Sequence, residues 1–158
     1  MRLLNLFAVL ATMATAAAAA AQADVGAPWG PETPNFNLEV VLRPAAGGPD
    51  NGFGLVKFRQ PNDADKIIYL DTWVRDLLPG HHYFLERAVD TNLDGACTST
   101  GWLSLGEIAT GLDGTGRAAL SRSVAMLPTG MKFDIHFRVV DAGTVALESG
   151  CYQYAVSQ

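Results

Sequence analysis

Residues 66–101 read KIIYLDTWVRDLLPGHHYFLERAVDTNLDGACTSTG. Two apolar runs, 66–75 and 82–89, flank the turn Leu78-Pro79-Gly80, and an acidic loop then leads to Cys97. Proline presets φ for such a turn and glycine accepts the positive φ that closes it. In the first run Ile68, Leu70 and Val74 alternate with Ile67, Tyr69 and Trp73, so both faces are apolar, as in a strand inside a sheet. In Leu77-x-Pro79-Gly80-x-x-Tyr83 the tyrosine opens the second run, where its hydroxyl is placed to cap backbone at the corner.

Working outward, the same two-residue period recurs. Strands are expected over 36–43, 53–60, 102–105, 117–124, 132–140 and 144–156, the last with a break at Ser149-Gly150. The clearest is 132–140. There Phe133, Ile135, Phe137 and Val139 take one face, and Lys132, Asp134, His136 and Arg138 the other. Glycine and proline punctuate the gaps, and no helical period follows the leader. About eight strands in about 135 residues predict an all-β fold: an antiparallel Greek-key β-sandwich or flattened barrel occupying 36–158. A two-layer sandwich places Tyr69, Trp73, Tyr152 and Tyr154 in its core; an exposed aromatic binding face is the competing reading.

The chain has 158 residues, 49% hydrophobic and only 17% charged, with a formal net charge of −5. Residues 1–23 read as a signal peptide: Arg2, then an apolar and alanine-rich stretch, then the small-x-small pattern Ala21-Gln22-Ala23. Residues 24–35, with Pro28, Trp29, Pro31 and Pro34, read as an extended lead into the domain. The expected product is exported, periplasmic or extracellular, with no membrane span after signal cleavage. A mildly acidic chain without basic clusters argues against nucleic acid and anionic membranes as partners. In an oxidising compartment the two cysteines, Cys97 and Cys151, most simply form one disulfide; two buried thiols are the alternative.

Two resemblances bear on the turn. Locally, Leu77-x-Pro79-Gly80-x-x-Tyr83 resembles the corner of fibronectin type III domains. A longer stretch, Leu77-x-Pro79-Gly80-x-His82-x-Phe84, then the acidic loop, then Cys97-Thr98-Ser99-x-Gly101, resembles the copper–zinc superoxide dismutase family; Gly52-x-Gly54 fits more weakly. The resemblance implies the family's sandwich and a bridge from Cys97 to the late Cys151. It also implies metal-ligating histidines, which this chain lacks. The two copper positions hold Leu85 and Arg87, the later one falls near Asp141, the anion-guiding arginine near Glu148, and no histidine follows Gly101 before His136. With only His81, His82 and His136, the reading is a scaffold and disulfide without the redox site.

Asp90-Thr91-Asn92-Leu93-Asp94-Gly95 matches the first half of a calcium loop, with Asp90, Asn92, Asp94 and the Ala96 carbonyl as candidate ligands. The bidentate acid expected eleven residues after Asp90 is replaced by Gly101, so Glu86 or Glu107 would have to serve; an ordinary polar loop is the competing reading. Calcium is the one cofactor the sequence admits. Adjacent His81 and His82 point to opposite faces and chelate poorly, and His136 reads as solvated on a charged face. The segment around Ser104 lacks the spacing of a nucleophile elbow. The expected function is therefore an exported non-enzymatic module, structural or interacting with an unknown protein or cell-surface partner. The alternatives are a calcium-stabilised adhesion domain and a degenerate enzyme of the superoxide dismutase class.

Overall fold

The computed structural model describes residues 36–61 and 63–157; the expected signal peptide over 1–23 and the segment 24–35 with Trp29 lie outside the described residues. Nine strands follow in order: β1 (Phe36–Pro44), β2 (Phe53–Gln60), β3 (Ile67–Arg75), β4 (His82–Asp90), β5 (Leu103–Ala109), β6 (Gly116–Ser123), β7 (Lys132–Asp141), β8 (Thr144–Ser149) and β9 (Tyr152–Ala155). All pairings are antiparallel, in the order β5-β4-β7-β8-β1-β2-β3-β6. The expected last strand is split. β8 pairs the late half of β7 and β9 its early half, with the chain breaking between them at Gly150.

The sheet curls until its edges meet. β5 and β6 lie side by side without a ladder, joined by one isolated bridge between Thr110 and Gly116. The result is a nearly closed, flattened barrel. Two connections cross between non-neighbouring strands, as in a Greek key: β3 to β4 over one end, β6 to β7 over the other.

Alternation decides the interior. Val40, Val56, Val74, Leu85, Ile108 and Leu147 point inward and are fully buried, each burial contributing about 1.5–3 kcal/mol. Phe58 packs edge-on against Phe137 and Tyr154, and Phe133 against Tyr154. The hairpin from β7 to β8 turns on Ala142 and Gly143, at φ 45° and 86°, the paired positive values a two-residue turn needs to match strand twist.

The placement of Tyr69 and Trp73 is a correction. They stand on the outer face of β3, and Tyr69 is 39% exposed. A single curled sheet covers only its inner face, and on β3 the row of Ile68, Leu70, Thr72 and Val74 takes it. Trp73 instead packs edge-on against Phe53, whose ring also lies under the guanidinium groups of Arg43 and Arg75. Tyr154 is in the core. Tyr152 is half-buried, and its hydroxyl accepts the Val41 N–H at 3.1 Å.

Candidate functional site

The two ends of the barrel are finished differently. At the end where β3 runs into β4, Gly80 sits at φ 70° and Tyr83, buried, accepts the Leu78 N–H on its hydroxyl at 3.0 Å. The Thr110 hydroxyl accepts from the His81 N–H at 3.0 Å and donates to the Leu78 carbonyl at 2.7 Å. Further backbone bonds join Leu77 to Gly114 and Gly80 to Gly111. This end is closed.

The opposite end encloses a cavity of about 210 Å3. It lies beneath the β6–β7 connection and beside the unpaired length of the β5–β6 seam. Its floor is Phe58, Leu70, Ile135 and Phe137; Leu105 and Leu127 form its sides. A bulge opposite Leu85 and Glu86 makes Leu105 an extra residue in β5, on the cavity wall. Bulges re-aim side chains in this way beside binding sites. Midway along the seam the two edges approach closely: a Cβ on Gly106 would lie 2.6 Å from Leu120.

The polar groups of the wall are Arg87, Arg122, Ser123 and Tyr154. Arg87 follows Tyr83 and Leu85 on the inward row of β4 and is half-buried. Burial, and then the positive charge of Arg122, hold its pKa below the ordinary arginine value. Neither arginine has an ion pair or hydrogen bond among the described residues, whereas Arg59, Arg75 and Arg138 each reach a carboxylate within 2.7 Å. Tyr154 donates to the fully buried Gln60, which also accepts the Ser157 N–H at 3.0 Å. Burial pushes the Tyr154 phenol well above its ordinary pKa, so it stays neutral in any physiological medium.

The acidic loop lies outside the barrel, and its side chains serve the loop itself. Asp90 accepts from the Asn92 N–H at 3.1 Å and from the Thr98 hydroxyl at 2.9 Å; these bonds hold its carboxyl below the usual range. Asp94 accepts from the Ala96 N–H at 2.9 Å and from the Asn92 amide at 2.5 Å. Beneath the loop, buried Asp134 accepts the Gly95 N–H at 2.8 Å on one oxygen, while its other oxygen has no partner. Glu86 and Glu107 are committed elsewhere, to Arg138 and His82. Among the described residues no group of three or more His, Cys, Asp or Glu is close enough to hold a metal ion.

Cys97 and Cys151 form a disulfide, with Cα atoms 5.4 Å apart, which ties this loop to the break between β8 and β9. Just beyond it, Trp102 covers His136 at 4.4 Å, and the Arg138 guanidinium lies over the Trp102 ring at 4.0 Å. His136 is therefore half-buried rather than solvated. Burial lowers its pKa, and Nε2 lies 3.2 Å from the Ser99 carbonyl. The sequence reading missed this because the cover comes from a loop more than thirty residues away.

The positions where the superoxide dismutase resemblance implied copper ligands are dispersed. Leu85 is in the core, Arg87 lines the cavity, and Asp141 contacts His81 at 2.7 Å. Glu148 is exposed on β8, opposite Arg43 and Arg138. Sequence reasoning named Arg87 only as a missing histidine and passed over Arg122. A signal existed: each sits on the inward parity of its strand, Arg87 after Tyr83 and Leu85, Arg122 after Ala118 and Leu120. Compared with known proteins, the chain matches no family model, no curated protein and no solved structure.

Proposed function

We propose that this chain is an exported, non-enzymatic binding module, and that its ligand seat is the cavity at the open end of the barrel. The observation that carries the reading is an apolar hollow of about 210 Å3, floored by core residues and reaching solvent, in a class of molecule whose interiors are otherwise packed like organic crystals. An apolar cavity of about 150 Å3 accommodates a benzene-sized molecule. The seat thus suits a small body, one ring or a short alkyl chain. No acid–base or nucleophilic pair lines its wall: the guanidinium groups are donors only, the Tyr154 phenol stays neutral, and no His, Asp or Glu stands among the lining residues beside Ser123. The disulfide favours an oxidising compartment. The bridge also joins the two places implied by the superoxide dismutase resemblance, which supports kinship of scaffold as part of this proposal.

The test is thermal unfolding of the mature, oxidised protein with neutral apolar probes, 1-hexanol to 1-decanol. A seated probe at a hundred times its Kd stabilises by about 2.7 kcal/mol. Leu105→Trp, which fills the side of the hollow, is expected to abolish the shift. Equal small shifts in both proteins at every chain length would end the reading.

A second reading has one specific observation in its favour. The unpartnered oxygen of buried Asp134, below the Asp90–Asp94 loop, is the kind of group a calcium ion would satisfy, once the loop carboxylates turned from their own amides. A melting point that rises with calcium in the wild type but not in Asp134→Asn supports it; no response to calcium removes it.

A further inference from the structure

We infer that the ligand of the open-end cavity is a small amphipathic anion, a carboxylate on a one-ring or short alkyl body, with its head group held by Arg87 and Arg122. The inference rests on the cavity reading above and adds the charge.

Its basis is a mismatch of pairing. The chain holds 16 acidic residues against 11 basic ones, so carboxylates are in surplus. Of the five described arginines elsewhere, three find one within 2.7 Å, Arg43 lies over the Phe53 ring, and Arg117 is exposed on the outer face. Yet two arginines line the same apolar hollow with no carboxylate partner among the described residues, one of them half-buried. A guanidinium withdrawn from water next to a second cation is costly unless an anion joins them. The guanidinium fork matches a carboxylate in a bidentate fashion, which supplies direction as well as charge. Apart from Ser123 and Tyr154 the rest of the lining is apolar, Phe58, Ile68, Leu70 and Ile135 among it, so the remainder of the ligand must be largely hydrocarbon.

The arrangement is also what a binding site looks like when it has not been optimised for stability. A half-buried, unpaired cation in a wall of leucine, isoleucine and phenylalanine weakens the empty protein. A purely structural arginine would have the opposite signature, and this gives the proposal a control that needs no ligand.

The experiment is isothermal titration of the mature, disulfide-intact chain with three probes of one length: octanoate, 1-octanol and octylamine. Octanoate is expected to bind about ten- to a hundredfold more tightly than octanol, as charged hydrogen bonds allow, and octylamine more weakly than either. Arg87→Met and Arg122→Gln should each lower the ratio of octanoate to octanol affinity towards one; Arg87→Lys should keep part of the preference. Without ligand, Arg87→Met should melt no lower than the wild type. Equal affinity for octanoate and octanol in the wild type would overturn the charge inference and leave the cavity reading standing. Binding of none of the three would overturn both. Loss of octanol binding together with a lower melting point in Arg87→Met would assign the arginine to the scaffold and also overturn the inference.

Discussion

Where β3 runs into β4, Leu77 fills the barrel and a set of short hydrogen bonds through Tyr83, Thr110 and Gly114 ties the turn to the opposite edge of the sheet. Where β6 runs into β7, the same strands enclose a hollow, and two arginines take inward positions that elsewhere hold leucine or valine. One end is filled as a protein core and the other is left hollow. The β5–β6 seam changes along its length: a bridge at one end, a glycine contact midway, an unpaired edge at the other. A filled end and a hollow end thus share one sheet, so substitutions at the two ends should have different consequences.

The largest effect expected is on the covalent tie. The Cys97–Cys151 bridge spans 54 residues, and on the chain-entropy account its loss costs about 4 kcal/mol. Cys97→Ser should lower the denaturant midpoint sharply and leave Cys151 open to thiol reagents on unfolding. The bridge fastens the acidic loop to the β8–β9 break, so amides of that loop should lose hydrogen-exchange protection before those of the turn at Gly80. Uniform loss of protection would mean the two ends unfold as one unit.

Matched truncations sharpen the comparison. Leu77→Ala at the closed end deletes buried methyl groups from a filled core, at a cost of about 2–5 kcal/mol. Leu127→Ala enlarges a hollow that already exists and removes a side chain only partly buried; about 1 kcal/mol is expected from its smaller loss of buried surface. Similar costs in urea melts would break the distinction between the filled and the hollow end.

Glycines give the same contrast by addition. Gly114 sits at φ 71°, and a Cβ there would lie 2.3 Å from the Leu77 carbonyl oxygen, so backbone must move. Gly114→Ala should cost about 2–4 kcal/mol from left-handed strain and overpacking together. Gly130, in the β6–β7 connection, has φ 81° and open space around its would-be Cβ. Gly130→Ala should cost only the backbone strain, about 1–2 kcal/mol.

The closed end was more legible in the sequence than the open one, for a physical reason. Its turn is local: proline, glycine and the tyrosine three residues on specify it within a few bonds. Strand alternation likewise identified the all-β class, and on β7 it separated Phe133, Ile135 and Phe137 from their charged neighbours. Alternation fails where both rows are apolar. On β3 nothing local distinguishes Tyr69 and Trp73 from Ile68 and Leu70; the curl of the whole sheet decides which row is inside. The hollow depends on a bulge at Leu105 and a seam left unpaired, both products of how distant strands meet. The arginines were readable from parity alone, once an inward charge was taken as information rather than as a missing ligand.

The smallest expected effect is the pH response of His136, on the outer face beside the disulfide-tethered loop. Burial under Trp102 is the main cause of its lowered pKa; Arg138 adds to it, and the Ser99 carbonyl, Asp90 and Glu148 act in the opposite direction. The folded-state value therefore lies below the unfolded one, near 6.5. As pH falls through about 6.5 the unfolded chain takes up the proton first, so stability declines there and levels off only below the folded value. Asp90, held low by Asn92 and Thr98, loses its contribution only in more acid solution, below its ordinary value of 3.8, so the two windows separate. Urea melts between about pH 7 and 5 should show this decline in the wild type and a flatter profile in His136→Gln. Parallel profiles would mean that the loop opens readily enough to solvate the imidazole before the barrel unfolds. The open end would then be loosely held on its outer face as well as hollow within.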